Sequence, residues 1–337
     1  MDGVPELVNR RLDPRDDADM EAFQEVYAAA ELAEDPEVGL YTREDAVSML
    51  TSADDSTFFD GFGGFVEGRM VGEWMLMGAQ RDNRDVAQLL LWVDPACQRQ
   101  GYGGRLLAHA EEHARRERGR TVLRTQARVG AGLEGNRRFA EAHGYTLAMT
   151  EIERRLPLPV DPDLLDRLEA EAAPRHRDYE IRAVVGDVPA ELRASYVELD
   201  NLLTVEMPHG DLDLEVAART VADLDAREQE LAAAGRVTVH GLALHDGQVV
   251  AFSGAAAPGG DVRHVDQYGT LVHPDHRGHR LGLAVKCAQL RLVSERFADR
   301  DHIGTSNAET NAHMVAINEA LGFAVHQVWG EFEKRLD

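Results

Sequence analysis

One short motif occurs twice. Val93-Asp94-Pro95-Ala96-Cys97-Gln98-Arg99-Gln100-Gly101-Tyr102-Gly103 returns in register as Val272-His273-Pro274-Asp275-His276-Arg277-Gly278-His279-Arg280-Leu281-Gly282. Each copy follows an apolar run and precedes a helical pattern, so each reads as strand, glycine-bearing turn and helix start. Such a turn collects backbone N–H groups at the positive end of a helix dipole, and that chemistry suits a phosphate. Neither copy has the Gly-x-Gly-x-x-Gly turn and distant acid of a dinucleotide site, nor the Gly-Lys-Ser/Thr of a P-loop. Two copies mean two anion sites, or one site and a relic.

The elements around the motifs repeat in the same order. In the first half, helical patterns over 18–30 and 44–50 precede strand-like runs over 62–66, 70–77 and 86–93. Then come the turn, a helix over 103–118, a strand over 121–127, a helix over 136–143 and a terminal strand pair. The second half opens with a strand over 179–184 and helices through 192–203 and 214–234. Strands follow over 237–244, 249–256 and 262–272. After the second turn come a helix over 282–297, a strand over 302–305, a helix over 311–321 and a strand over 324–336. The prolines at 157, 159 and 162 interrupt regular structure. These patterns predict a first domain over 1–156, a linker over 157–176 and a second domain over 177–337. Each is expected to be a mixed α+β unit, with a mostly antiparallel central sheet flanked by helices.

Composition narrows the class. A formal net charge of −24 over 337 residues argues against nucleic acid as a partner and suits either solubility or attraction of a cationic substrate. No apolar run reaches the roughly 20 residues of a membrane-spanning helix. The acidic, polar beginning does not read as an address, and two cysteines, Cys97 and Cys287, do not make a disulfide framework. A cytoplasmic protein, monomeric or homodimeric and without membrane contact, is expected. The scattered His and Asp residues lack metal-ligand spacing, so no catalytic metal is expected.

Gln98-Arg99-Gln100-Gly101-Tyr102-Gly103 resembles the Gln/Arg-x-x-Gly-x-Gly/Ala signature of the GNAT superfamily of acyl-CoA-dependent N-acyltransferases. The resemblance spans nearly the whole chain as two tandem units, an architecture similar to that of mycothiol synthase-like proteins. It implies acetyl-CoA as cofactor, with the pyrophosphate on the turn amides and the pantetheine arm along the strand end. Val93, Gln98, Arg99, Gln100, Gly101, Tyr102, Gly103 and Gly104 would form one cofactor site. Leu271, Val272, Arg277, Gly278, His279, Arg280, Leu281 and Gly282 would form the other. In the second turn Arg280 replaces the inner glycine. If that position needs φ > 0, Arg280 weakens binding. If it has an ordinary helix-start φ, its guanidinium pairs with a phosphate, which is the expectation adopted here.

The resemblance also implies an amine attacking a thioester, so a base must take a proton. Some members of that family carry a carboxylate six residues before the strand-end apolar residue, so the resemblance points to Asp266 in the second copy and Ala87 in the first. With no bulge, Asp266, Tyr268 and Thr270 share a strand face with Val272. Asp266 and Tyr268 are therefore the expected catalytic pair, with burial raising the carboxylate towards a useful basicity. The family's leaving-group tyrosine is missing: its positions hold Ala140 and Asn318. Asn311 starts the last helix, where it is expected to touch the cofactor, cap the helix, or both. The first copy has Leu133 at that spacing, with Asn136 a turn away. Glu206, His209, Asp211 and Asp213 are expected to line the acceptor slot. The expected function is acetyl transfer to a primary amine of a small molecule, catalysed by the second unit. The alternatives are catalysis by the first unit with the second degenerate, and a non-catalytic acyl-CoA-binding module.

Overall fold

The computed structural model describes residues 6–51, 57–81, 83–206, 218–259 and 263–336. In chain order the elements are β1 (Val8–Arg11), α1 (Asp17–Glu34), α2 (Arg43–Thr51), β2 (Thr57–Val66), β3 (Arg69–Ala79), β4 (Val86–Val93), α3 (Tyr102–Arg116), β5 (Val122–Arg128), α4 (Glu134–Ala142) and β6 (Thr146–Pro157). They continue with α5 (Pro162–Ala172), β7 (Glu180–Val185), α6 (Arg193–Glu206), α7 (Val221–Ala233), β8 (Val237–His245), β9 (Gln248–Ala257), β10 (His264–Val272), α8 (Leu281–Arg296), β11 (His302–Ala308), α9 (Ala312–Ala320) and β12 (Ala324–Arg335).

The chain forms two compact units. In the first, β1, β2, β3 and β4 pair antiparallel in sequence order, β4 runs parallel to β5, and β5 pairs antiparallel with Trp329–Arg335. In the second, β7, β8, β9 and β10 pair the same way, β10 runs parallel to β11, and β11 pairs antiparallel with residues 151–157 of β6. Each sheet therefore takes its last strand from the other half of the sequence. This departs from the boundaries drawn at 156 and 177. Glu151–Pro208 belongs to the second unit and Val328–Asp337 to the first. The expected linker is likewise part of a core: Leu165, Leu168 and Ala172 of α5 are buried with Leu290 and Val293 of α8. Prolines mark where a strand stops, not which sheet it joins.

Two packed layers flank each sheet. In the first unit, α3 covers one face through Leu106, Leu107, Ala110 and Ala114, and α1 covers the other through Met20, Phe23 and Tyr27. In the second, α8 packs through Val285, Cys287 and Leu290 and α6 through Tyr196 and Leu199.

Two departures from a plain sheet shape the site. The parallel pairs last only three residues: Val86–Gln88 with 122–124, and 264–266 with 302–304. Beyond them each strand pair splays and leaves a free edge on β4 and on β10. The second departure is unique to the second unit. β4 pairs with β3 without interruption, whereas on β10 Tyr268 and Gly269 together oppose Gly254 of β9. That bulge adds one residue and leaves backbone polar groups outside the ladder.

Candidate functional site

Both turns have one backbone shape. Residues Arg99 and Gly101 have φ of 63° and 86°, and Gly278 and Arg280 have φ of 85° and 56°. The left-handed pair is thus conserved between the copies, while glycine and arginine exchange places within it. Arg280 does not have the ordinary φ expected of it, and its guanidinium lies 3.6 Å from the Glu171 carboxylate. Gly101 and Arg280 are the N-caps of α3 and α8, and neither helix receives a side-chain cap. By contrast, α1, α5, α7 and α9 are capped by Asp16, Asp161, Thr220 and Asn311. The N–H groups of the first turn of α3 and of α8 have no intrahelical partner, which is the donor set an anion needs.

The turns are also docked alike on their strands. Gln98 Nε2 donates to the Val93 carbonyl at 3.3 Å, and Arg277 Nε to that of Val272 at 3.4 Å. A Cβ on Gly103 would sit 3.3 Å from Phe139, and one on Gly282 3.3 Å from Ile317. Around them, Gln100 donates to the Ala96 carbonyl, while His279 Nδ1 donates to the Arg175 carbonyl at 3.0 Å. Tyr102, Leu281 and Leu271 bury their side chains in the core, so they can offer a ligand only backbone. A helix start without a side-chain cap, a left-handed turn and a free strand edge in line fit a phosphate-bearing, extended ligand such as CoA in both units.

The bulge changes which residues face together. Val265, Gln267, Thr270 and Val272 look towards α8: Gln267 Nε2 donates to Ser253 Oγ at 3.0 Å, and Ser253 Oγ bonds Thr270 Oγ1 at 2.9 Å and Gln289 Oε1 at 2.9 Å. Asp266 and Tyr268 stay together but look towards α6 and α7, opposite Thr270 and Val272. The expected common face is therefore corrected. The counterpart of Asp266 is corrected too: both end the three-residue parallel ladder, so it is Gln88 and not Ala87. Asp266 is 38% exposed and lies 3.5 Å from Arg236 and 3.4 Å from His264, so the expected burial is absent. Arg227 stacks over the Tyr268 ring at 5.6 Å.

Of the expected acceptor residues, Glu206 forms an ion pair with Arg277, which ties it to the second turn. His209, Asp211 and Asp213 lie outside the described residues. Asn311 caps α9, accepting from the Met314 N–H at 3.3 Å.

Three buried groups escaped sequence reasoning because burial, not spacing, makes them distinctive. His240 on β8 stands against Tyr196, with neither ring nitrogen bonded, and burial pulls its pKa down to about 4. Its Nδ1 lies 3.8 Å from where a Gly254 Cβ would sit, and the Tyr268 Cβ lies 3.7 Å from the same point. A neutral imidazole thus adjoins the bulge. Lys286 is fully buried, donates to Asn318 at 2.6 Å, and has its pKa lowered to about 7 by burial. Glu73 on β3 is fully buried with neither oxygen bonded, and burial holds its pKa well above the carboxylate range.

In the first unit the splayed strands are tied across. Glu31 of α1 accepts from Trp92 Nε1 on β4 at 2.7 Å and from Arg128 on β5 at 2.7 Å. Arg128 is buried, also reaches Glu34 at 3.3 Å, and stacks on Trp329. In the second unit the positions of Trp92 and Arg128 hold Leu271 and Ala308, which cannot form such a bridge.

Residues 20–145 match the Acetyltransferase (GNAT) family. No curated protein matches the chain by sequence. Among solved structures, a tandem GNAT protein from the clavulanic acid biosynthesis pathway is similar at 24% identity and a TM-score of 0.78, over 98% of this chain and 99% of that one. A GCN5-related N-acetyltransferase from Sphaerobacter thermophilus is similar at 16% identity and 0.69, over 99% and 97%. A glucosamine N-acetyltransferase region of a fungal multi-domain β-N-acetylglucosaminidase is similar at 13% and 0.67, over 99% of this chain and 38% of that one.

Proposed function

With residues 20–145 belonging to the GNAT acetyltransferase family and the whole chain carrying the fold of tandem GNAT proteins, we propose that the second unit transfers an acetyl group from acetyl-CoA to a primary amine of a small molecule. The observation that carries the assignment is the open, bulged β10: Asp266 stands where β10 and β11 part, and the bulge beside it takes Tyr268 and Gly269 out of the regular ladder. When bound, acetyl-CoA supplies an activated acyl carbon. The turn amides over 277–282 would hold its pyrophosphate, Gln98–Gly104 would do the same in the first unit, and Val272 would flank the arm.

The α6 face then handles the acceptor. Asp266 attracts the ammonium form, and Asp266 or the neutral His240 takes the proton that attack releases. Tyr268, fixed beside Gly254 and Arg227, shapes the slot next to the bulge. The Glu31–Arg128 bridge closes the corresponding opening of the first unit, which leaves that unit a CoA-binding role. A second reading, transfer by the first unit, is favoured by the family match to residues 20–145 and by Gly101 where the second turn has Arg280.

Acetyl-CoA turnover with a panel of amines, together with CoA bound per chain, separates the two. Gly282→Leu and Asp266→Ala should abolish most turnover, and Gly103→Leu should remove one bound CoA with turnover intact. Loss with Gly103→Leu alone would move catalysis to the first unit. Absence of turnover with every amine would leave a CoA-binding protein.

A further inference from the structure

The two units also differ on the α8 side of the second sheet. Lys286 Nζ donates to Asn318 Oδ1 at 2.6 Å, and Asn318 Nδ2 donates to Asn307 Oδ1 at 2.7 Å. Lys286 and Asn318 are fully buried. Asn307 is partly exposed on β11, three residues beyond Gly304, the last residue paired with β10. The network thus runs from the core to the margin of the splayed strands.

In the first unit the same three positions hold Leu107, Ala140 and Ala127. Leu107 and Lys286 each stand four residues after the last glycine of their turn. The Tyr145 N–H bonds the Ala140 carbonyl at 3.0 Å as the Phe323 N–H bonds that of Asn318 at 3.0 Å. Ala127 and Asn307 are the sixth residues of β5 and β11. One unit packs hydrocarbon where the other packs an amine and two amides. Burying that polar set costs stability, and the first unit shows that the fold is built without it.

The network has a direction. Lys286 Nζ donates to Asn318 Oδ1, which turns Asn318 Nδ2 towards Asn307. Asn307 must then turn its Oδ1 to Asn318, which leaves its own Nδ2 as the terminal donor. Successive bonds in a low-dielectric interior polarise one another in the same sense.

We propose that Lys286 and Asn318 position Asn307 to donate a hydrogen bond to the thioester sulfur at the leaving-group end of the second unit's site. The inference rests on the reading that this unit transfers the acyl group. As the acceptor nitrogen bonds to the acyl carbon, the C–S bond breaks and its electron pair stays on sulfur. Asn307 stabilises that thiolate without releasing its proton. The acceptor's proton leaves on the other face of the sheet, towards Asp266 and His240.

The test uses the full chain with Gly103→Leu to silence the first turn. Affinities for CoA and for desulfo-CoA are measured by calorimetry, and kcat and KM by acetyl transfer. Lys286 and Lys334 are the only lysines, so Lys286 is also read directly by ε-nitrogen NMR. The parent should bind CoA about 5-fold more tightly than desulfo-CoA, the worth of one hydrogen bond. Asn307→Ala should bind both alike, with kcat reduced at least about 10-fold and KM little changed. The triple variant Lys286→Leu, Asn318→Ala, Asn307→Ala, which copies the first unit's packing, should do the same while remaining folded. Equal affinities in the parent, or unchanged kcat in Asn307→Ala while transfer proceeds, would overturn the inference alone. A parent that neither binds CoA nor transfers would overturn the underlying reading and the inference with it.

Discussion

At the scale of single residues, three buried ionisable groups show what a sequence conceals. Glu73, His240 and Lys286 sit in runs that read as ordinary strand or helix, and no spacing distinguishes them. Their character comes from the removal of water, which penalises the charged form. Glu73 has its pKa raised, so the wild type bears no cost below the free carboxyl value of 4.5 and a growing cost as pH climbs above it. Replacing Glu73 by Met should stabilise the protein by on the order of 1–3 kcal/mol near neutral pH, with the gain fading as pH falls towards 4.5. Urea denaturation across that range checks it. Lys286 has the opposite sign. Its pKa falls to about 7 from 10.5, so its cost is full below pH 7 and vanishes above 10.5. Lys286→Met should therefore gain most below pH 7, by on the order of a few kcal/mol, and least near pH 10. A gain of constant size across pH would mean that the amine is not desolvated in the folded state. Asp266 teaches the converse: the sequence singled out the carboxylate, but not the face it takes, its ion pair with Arg236 or its exposure.

At the scale of elements, the repeated turns were fully legible, because a glycine-bearing turn between an apolar strand and a helix is a local signal. The left-handed φ of Arg280 was not, since an arginine sequence carries no mark of the conformation its neighbours impose. The bulge in β10 was equally hidden. It depends on how β10 pairs with β9, and it reverses the face of every residue on one side of it. Close approach of helix and sheet is set in the same non-local way. A Cβ on Gly241 of β8 would lie 2.0 Å from the Val285 carbonyl oxygen of α8, a backbone atom that cannot step aside. Gly241→Ala should push α8 from the sheet and cost at least about 3 kcal/mol, seen in chemical denaturation. At Gly269 the obstacle is the tip of Leu203, 2.1 Å away, and that side chain can rotate. Gly269→Ala should therefore cost less than Gly241→Ala. A reversed order would show that α8 yields more readily than α6.

At the scale of the whole molecule, the exchange of closing strands makes each unit dependent on the other half of the sequence. Arg124 meets Glu333 at 2.9 Å, and Phe332 is buried in the first unit's core. Ending the chain after Gln327 should therefore weaken the first unit, although all the removed residues belong to the second half of the sequence. Hydrogen exchange over 122–128 should speed up markedly, while 302–308 keeps its partner 151–157. Protection of 122–128 equal to that of the full chain would show that β12 is dispensable. Among the described residues no helix is long and apolar enough to cross a membrane, and no group of three His, Cys, Asp or Glu side chains is arranged to hold a metal ion.

The sequence by itself determined the tandem α+β plan, the order of its elements and the two glycine-bearing turns. Each of these is written in hydrophobic periodicity and in glycine placement over a dozen or so neighbouring residues. Tertiary structure alone decided which strand closes which sheet, where β10 bulges, and that Lys286, Asn318 and Asn307 meet. Those outcomes depend on pairing between residues far apart in the chain and on the exclusion of water, and no local pattern encodes either.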